Sequence, residues 1–174
     1  DYVQRLDVQV KSELLTTGLI KLITGPRRAG KSVFSLQLLR NENFAYLNFD
    51  DDQLLKHFDE DEVIQSLNEI YPDYKYLLLD EIQNLPDWEL WVNKLNRRGS
   101  NLVITGSNAR LLSGEMATSL TGRYVQIEVF PFSFTEVLRF QKILLSDRQV
   151  LLPAELGNIL NHLNNFLLSG GFPE

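Results

Sequence analysis

Hydrophobic positions along the 174-residue chain follow two spacings that alternate from one segment to the next. Short continuous apolar runs are separated by longer segments in which apolar residues recur every three or four positions. The runs are typical of strands buried on both faces of a parallel sheet, and the longer segments of amphipathic helices. The runs predict five strands, over residues 19–24, 44–49, 76–79, 102–105 and 124–129. We therefore expect an α/β fold with a parallel sheet and helices on both faces.

The helical spacing predicts seven helices, of which the last two follow the final strand. They are expected over residues 1–18, 31–40, 59–71, 86–99, 109–120, 133–145 and 153–169. Trp88 and Trp91 lie on the apolar face of the fourth helix, so both are expected in the core. Because no strand follows Pro131, we divide the chain into an α/β domain over 1–131, opening with the helix 1–18, and a small helical annex over 132–174.

Composition narrows the class of protein without identifying a function. Hydrophobic residues make up 44% and charged residues 23% of the chain, as in ordinary globular domains. The net charge of −6 does not support a nucleic-acid partner held by general electrostatics. No apolar run approaches the roughly 20 residues that span a bilayer, and no signal peptide is visible. We therefore expect no membrane partner and a cytoplasmic location, which the absence of cysteine also fits.

Two further observations concern histidine and the chain ends. His57 and His162 have no ligand-spaced partners, so surface or core positions are expected for them rather than a zinc site. The chain begins with Asp1 and its single methionine is Met116. We therefore expect it to be a piece of a longer protein.

A glycine-rich loop follows the first predicted strand and has the spacing G-x-x-x-x-G-K-S. Its two glycines permit backbone angles that turn successive N–H groups inward around an anion. Lys31 can then reach the β- and γ-phosphates, and the Ser32 hydroxyl can bind Mg²⁺. A glycine-rich turn with a chance lysine is the alternative, and Arg27 and Arg28 either help to hold phosphate or point into solvent. The predicted nucleotide contacts are Gly25, Pro26, Arg27, Arg28, Ala29, Gly30, Lys31, Ser32 and Val33.

Polar residues at two later strand ends complete the candidate chemistry. Asp80 is placed to hold Mg²⁺ through water, and Glu81 suits a base that polarises the attacking water, although a solvated turn is the alternative. Ser107 or Asn108 would face the γ-phosphate, unless one of them caps the next helix. Arg123 is either a positive charge for the transition state or a member of a surface ion pair.

Two sequence features limit the ligands. Asp50-Asp51-Asp52 reads as a solvated strand-to-helix turn rather than a second metal site. Guanine specificity usually needs N-K-x-D after a strand, whereas Asn93-Lys94-Leu95-Asn96 lacks the aspartate and falls inside a predicted helix. ATP is therefore favoured over GTP, with Mg²⁺ as the metal.

With these motifs placed, the chain resembles the AAA+ division of P-loop ATPases. More narrowly, it is similar to the family of prokaryotic ATP-binding proteins in which an AAA domain precedes a C-terminal domain of unknown function. The residues that carry the resemblance form six short segments. They are Ile23–Ser32, Leu79–Gln83, Ile104–Asn108, Leu120–Arg123, Phe130–Phe134 and Gly170–Glu174.

The resemblance implies a sheet of order 5-1-4-3-2 and makes residues 1–131 the nucleotide-binding domain. It implies a γ-phosphate sensor at Ser107 or Asn108, and an arginine finger at Arg123 that faces a neighbouring subunit. By the same analogy Asn48 would restrain Glu81. A possible homo-oligomer and the chain's own C-terminal domain, expected beyond residue 174, are the implied partners, besides ATP and ADP. No sensor 2 arginine can be assigned in the annex.

The leading hypothesis is an ATPase whose hydrolysis cycle drives or gates an attached domain or a partner. A nucleotide-dependent switch or scaffold with little turnover is the second hypothesis. A small-molecule kinase is the third, but the residues after the fifth predicted strand show neither an acceptor pocket nor a basic lid.

Overall fold

The computed structural model describes residues 5, 13–107, 111, 120–143 and 152–172. Within these residues lie five strands: β1 Ile20–Gly25, β2 Phe44–Asn48, β3 Tyr76–Asp80, β4 Leu102–Ser107 and β5 Tyr124–Glu128. The same residues form six α-helices: α1 Lys31–Leu38, α2 Asp52–Lys56, α3 Glu60–Ile70, α4 Trp88–Arg97, α5 Phe134–Phe140 and α6 Pro153–Ser169. Two short 3₁₀ helices, Glu13–Thr16 and Ile82–Asn84, complete the regular structure of this part.

The five strands form one parallel sheet in the order β2-β3-β4-β1-β5. This confirms both the predicted α/β class and the order that the family resemblance implied. Parallel strands all end at the same edge of the sheet, which is where ligands bind in open α/β folds. The ends of β1 and β4 adjoin there, because Gly25 pairs with Ser107. On the other side of β4, Leu79 of β3 pairs with Ile104.

Alternate side chains of the strands fill two separate hydrophobic layers. Leu77 and Leu79 of β3 pack on the face covered by α3 and α4, whereas Leu78 packs with α1 on the opposite face. The buried residues Trp88 and Trp91 belong to the first layer, which confirms their predicted place in the core. A helix–sheet–helix arrangement with every central strand residue buried explains why these strands read as continuous apolar runs.

A lysine, Lys21, lies fully buried in the middle of β1. Its Nζ donates a hydrogen bond of 2.6 Å to the carbonyl oxygen of Thr17 and lies 5.9 Å from the centre of the Tyr76 ring. Burial lowers the pKa of this ammonium from its ordinary value. The Tyr76 hydroxyl in turn donates to Leu15 O at 3.1 Å, so these two side chains tie the segment before β1 to the sheet.

Several predicted helix limits were wrong. Residues 13–16 form a 3₁₀ helix instead of the end of an α-helix, while the rest of 1–12, apart from Arg5, lies outside the described residues. Helix α4 begins two residues later than expected, because Asp87 has a left-handed φ of 53°. Helix α5 ends at Phe140 rather than at 145.

One helix was missed and another cannot be followed. The short α2 was not predicted; the Asp51 side chain caps it by accepting hydrogen bonds from Gln53 N and Leu54 N. Of the predicted helix over 109–120, only Leu111 and Leu120 are described, and both are buried. None of the helices in the described ranges is long and apolar enough to cross a membrane.

Candidate functional site

The loop between β1 and α1 has the backbone of an anion-binding turn. Gly25 leaves the strand with a φ of 153°, and a Cβ there would lie 2.0 Å from Val129 O, so only glycine fits. Arg28 and Gly30 adopt left-handed conformations, with φ of 66° and 84°. Helix α1 then starts at Lys31 with its N-terminus toward the loop. Left-handed turns that open a helix present N–H groups and a positive dipole end to an anion.

Lys31 connects this loop to the third strand. It is only 4% exposed, and its Nζ donates to Pro26 O at 3.2 Å. The same nitrogen lies 3.7 Å from Glu81 Oε1. The side chain that sequence assigned to the phosphates is therefore held at the mouth of the loop, next to the carboxylate assigned to catalysis. Arg27 and Arg28 are exposed on the loop surface, and Val33 lies half-buried in the first turn of α1.

Asp80, at the end of β3, is buried and accepts hydrogen bonds from three hydroxyl groups. Ser32 Oγ donates to Oδ1 at 3.0 Å, and Thr105 Oγ1 donates to the same oxygen. Tyr46 donates its hydroxyl to Oδ2 at 3.1 Å. Burial, reinforced by the charge of Asp80, raises the pKa of Tyr46 to about 12, so the phenol remains a donor at neutral pH. These bonds fix both oxygens of the carboxylate.

Glu81 differs from its neighbour in backbone and in partners. It has a left-handed φ of 52°, and its backbone N–H donates to Thr105 Oγ1 at 3.0 Å. Its Oε1 faces Lys31, while Oε2 accepts a hydrogen bond of 2.6 Å from Gln83 Nε2. Thr105 thus bonds both acidic residues, and the Glu81 side chain is held by one cation and one amide.

Sequence reasoning missed Tyr46, Thr105 and Gln83. Thr105 carried a signal, because it is a polar residue in an apolar strand, where a buried hydroxyl needs a partner. Gln83 lies in a segment on which the family resemblance rests, and its buried Oε1 has no hydrogen-bond partner among the described residues. A Cβ on Gly106 would lie 2.0 Å from that oxygen, so a larger residue there would force the Gln83 side chain to move. Tyr46 gave no signal, since its contact depends on the pairing of β2 with β3.

The other predicted site residues divide between the loop and more distant positions. Ser107 lies beside the loop, because it pairs with Gly25 at the end of β4. Asn108 lies outside the described residues. Asn48 does pair in register with Asp80, but its side-chain oxygen accepts a hydrogen bond from Asp50 N at 3.0 Å. The amide that contacts Glu81 is that of Gln83 instead.

Arg123 lies at the opposite edge of the sheet, just before β5 begins. Its carbonyl oxygen accepts a hydrogen bond of 2.9 Å from Ile20 N, at the start of β1. The exposed guanidinium donates to Asn93 Oδ1 at 2.9 Å. At about 3.3 Å per strand residue, the length of β1 separates Arg123 from Gly25 by roughly 16 Å. The structure therefore does not bring Arg123 to the loop of its own chain.

The residues at the loop suit a bound Mg²⁺ and phosphate. Mg²⁺ prefers oxygen ligands and is commonly held by one or two protein groups together with phosphate oxygens. Ser32 and Asp80 place a hydroxyl and a carboxylate in contact beside the loop. A group of three or more His, Cys, Asp or Glu side chains, as an all-protein metal site would need, is absent from the described ranges. The donor set thus fits a metal shared with phosphate.

Comparison with known proteins agrees with this geometry. Residues 17–138 match the family model described as an AAA domain. An uncharacterized protein of Methanocaldococcus jannaschii is 37% identical over 177 residues, which cover 97% of this chain and 38% of that protein. An uncharacterized protein of Haemophilus influenzae is 40% identical over 186 residues, covering 100% of this chain and 43% of the relative. The chain therefore spans about two fifths of the length of these two relatives.

One solved structure shows how widely the fold extends. The crystal structure of Saccharomyces cerevisiae RIF2 matches with a TM-score of 0.50 at 17% identity, covering 91% of this chain and 69% of the other. At that identity the likeness concerns the fold alone.

Proposed function

We infer that this chain binds ATP with Mg²⁺ and hydrolyses it to drive or gate an attached domain or partner. The chain belongs to the AAA domain family of P-loop ATPase-like proteins. Family membership supports nucleotide binding and an ATPase-like function. One observation carries the finer proposal: two adjacent carboxylates meet two different groups of the loop. Asp80 contacts the Ser32 hydroxyl at 3.0 Å, and Glu81 lies 3.7 Å from the Lys31 ammonium.

Each group at the loop has a role in this proposal. The loop N–H groups and Lys31 bind the phosphate chain, while Ser32 and Asp80 hold Mg²⁺. The metal, when bound, neutralises charge on the phosphate oxygens. Glu81 orients a water molecule and accepts its proton as the water oxygen bonds to the γ-phosphorus. The bond from that phosphorus to the bridging oxygen breaks, and ADP and phosphate leave. Either Ser107 or Asn108 serves as the γ-phosphate sensor.

Thermal unfolding with ATP and Mg²⁺ tests the binding step. Nucleotide at about 100 times its dissociation constant should stabilise the chain by about 2.7 kcal/mol, and GTP should stabilise it less. Lys31→Ala should remove most of the shift, because it deletes the ammonium at the loop. Lys56→Ala, on an exposed lysine of α2, is the matched control and should keep the shift. An unchanged melting temperature of the parent chain with ATP would contradict the proposal.

A nucleotide-dependent switch with little turnover is the second candidate, and one observation favours it. Both oxygens of Glu81 are engaged, one by Gln83 and the other by Lys31. A carboxylate held in this way must first be released before it can accept a proton from water. Single-turnover measurement separates the candidates: bound ATP that stays intact for hours supports the switch, and its conversion to ADP supports the ATPase.

The proposed attached domain is the part by which the relatives exceed this chain. Helix α6 supports it, because none of its residues is buried and several leucines stand in solvent. Leu156, Leu160, Leu167 and Leu168 are exposed by 46–88%. Neighbouring exposed leucines usually mark a contact surface. Hydrogen exchange in α6 should be slower in a polypeptide of the relatives' length than in this chain. Equal exchange in the two polypeptides would show that the proposed attached domain does not cover α6.

A further inference from the structure

A buried arginine near the start of the chain links the phosphate loop to the helical annex. Arg5 is 8% exposed, which is rare for a charged side chain that lacks partners. Its Nη2 donates to Ala29 O, inside the loop, and to Phe130 O at 2.7 Å. Its Nη1 lies 3.4 Å from Glu136 Oε2, and the guanidinium stacks 4.3 Å from the centre of the Phe132 ring. One planar group thus contacts three separate segments.

The annex side of this contact is itself fixed. Glu136 Oε2 also accepts hydrogen bonds from Ser133 N at 2.8 Å and Ser133 Oγ at 3.0 Å, which cap the start of α5. Phe132 N donates to Gly171 O at 2.6 Å, and a Cβ on Gly171 would lie 1.9 Å from Phe132 O. The segment that packs on Arg5 therefore also holds the chain that follows α6.

The loop side determines the direction of a peptide group. In a planar trans peptide the carbonyl and the next N–H point in opposite directions. Arg5 holds the carbonyl of Ala29, so the N–H of Gly30 must point to the other side of that peptide. Gly30, at a φ of 84°, is a residue whose backbone could otherwise rotate with little steric cost. Arg5 removes that freedom.

We propose that Arg5 is a positioning residue that holds the Ala29–Gly30 peptide with its N–H toward bound phosphate, and so couples phosphate binding to the annex. The inference rests on the proposed nucleotide-binding function. When phosphate accepts a hydrogen bond from the Gly30 N–H, it displaces the peptide group that also contains the Ala29 carbonyl. Because Arg5 is bonded to that carbonyl, the displacement is transmitted to Glu136 and Phe132.

The decisive variant removes both members of the ion pair, since Arg5→Met alone would leave Glu136 buried without its cation. Arg5→Met/Glu136→Gln should bind ATP with Mg²⁺ about tenfold more weakly than the parent, the effect of one hydrogen bond to a charged group. Glu136→Gln alone is the matched control. Its amide oxygen still accepts from Ser133 and Arg5 keeps both carbonyls, so its affinity should stay near that of the parent.

Hydrogen exchange of residues 132–140 is a measurement that would not respond to ATP if Arg5 only stabilised the fold. Addition of ATP with Mg²⁺ should change exchange there in the parent and in Glu136→Gln, but not in the double variant at saturating ATP. Parental affinity in the folded double variant, or an unaltered ATP response in the annex, would overturn the inference.

A third variant decides the matter if the double variant fails to fold. Arg5→Lys keeps the charge opposite Glu136 but cannot place donors on two carbonyls in one plane. It should bind ATP more weakly than the parent, and equal affinity would overturn the inference. The proposed function fails separately, namely if the parent chain itself does not bind ATP.

Discussion

At the edge of the sheet where the strands end, side chains from three segments form one bonded network, whereas the edge where they begin holds Arg123 beside Asn93. Ser32, Asp80 and Thr105 are joined by hydrogen bonds, and Lys31 and Glu81 adjoin them. The Arg123 guanidinium is exposed and bonds to Asn93 on α4. One edge therefore gathers the proposed nucleotide-binding and catalytic groups within a single chain, and the other carries an exposed guanidinium that is bonded to α4.

The difference shows that a phosphate loop can be assembled within one chain, whereas a charge at the opposite edge needs a second chain. A phosphate loop needs strand ends that meet at one edge, which a parallel sheet provides within one chain. A charge at the opposite edge can reach a nucleotide only in another molecule.

Arg123→Ala should lower ATP turnover by about 10³–10⁵-fold in assembled protein while ATP affinity stays the same, because an arginine supplied from outside acts on the transition state. The hydrolysis rate per chain of the parent should rise with protein concentration. Mixing Arg123→Ala with Glu81→Gln chains should restore part of the activity, since each retains the group the other lacks. Asn93→Ala, which removes the side chain that Arg123 bonds to, is the control. An arginine finger in trans would be refuted if the protein is a monomer and its hydrolysis rate per chain changes neither with protein concentration nor with Arg123→Ala.

Glu81→Gln should reduce turnover by about 10²–10⁴-fold without loss of ATP binding, because the amide keeps the shape of the side chain but cannot accept the proton. Steady-state hydrolysis measured beside nucleotide affinity checks this. Glu62→Gln, on the exposed side of α3, should hydrolyse ATP at the parental rate. Hydrolysis by Glu81→Gln at that same rate would assign the base to another acid, with Asp50 and Asp51 as the next candidates.

Asp80→Asn should weaken the Mg²⁺-dependent part of ATP binding by about 10–100-fold, the usual cost of disturbing a group that orients a metal. ATP affinity with the metal chelated should change little, because the loop N–H groups and Lys31 remain. A titration of ATP affinity against Mg²⁺ measures the difference. Asp52→Asn, at the exposed start of α2, is the control. An identical Mg²⁺ dependence in Asp80→Asn would remove this residue from the metal site.

Tyr46→Phe should have the smallest effect, a loss of about 1 kcal/mol in the free energy of unfolding, because one hydroxyl bond to a carboxylate is deleted. The folded-state pKa of Tyr46 is raised above its unfolded value of 10.0, to about 12. The bond therefore contributes fully below pH 10 and is lost as pH rises toward 12. Thermal unfolding should show a constant difference between parent and variant from pH 6 to 9. Tyr74→Phe serves as the control, and a difference that vanishes at pH 7 would contradict the assignment.

The five strands and half of the candidate site follow from local sequence. Three patterns lie within short segments of sequence: the apolar strand runs, the glycine positions and the acidic pair at the end of β3. Sequence alone therefore predicts Lys31, Ser32, Asp80 and Glu81 as candidate site residues. The sheet order came from the family resemblance. Contacts set by register or by long-range packing left no such trace. Tyr46 reaches Asp80 only because β2 adjoins β3, and Arg5 meets Ala29, 24 residues further along the chain, through a contact that no periodicity encodes.

Helix α6 has a further consequence for how the domain unfolds. Its 17 residues include none that is buried, so its unfolding exposes little additional surface. The dependence of an unfolding free energy on denaturant is proportional to the surface exposed. We therefore expect α6 to unravel over a broad, shallow range of urea concentration, ahead of the steep transition of the sheet. Helical signal and tryptophan fluorescence should then give different midpoints, because Trp88 and Trp91 report the sheet core alone. A two-state description of this chain would apply to its sheet and not to its last helix.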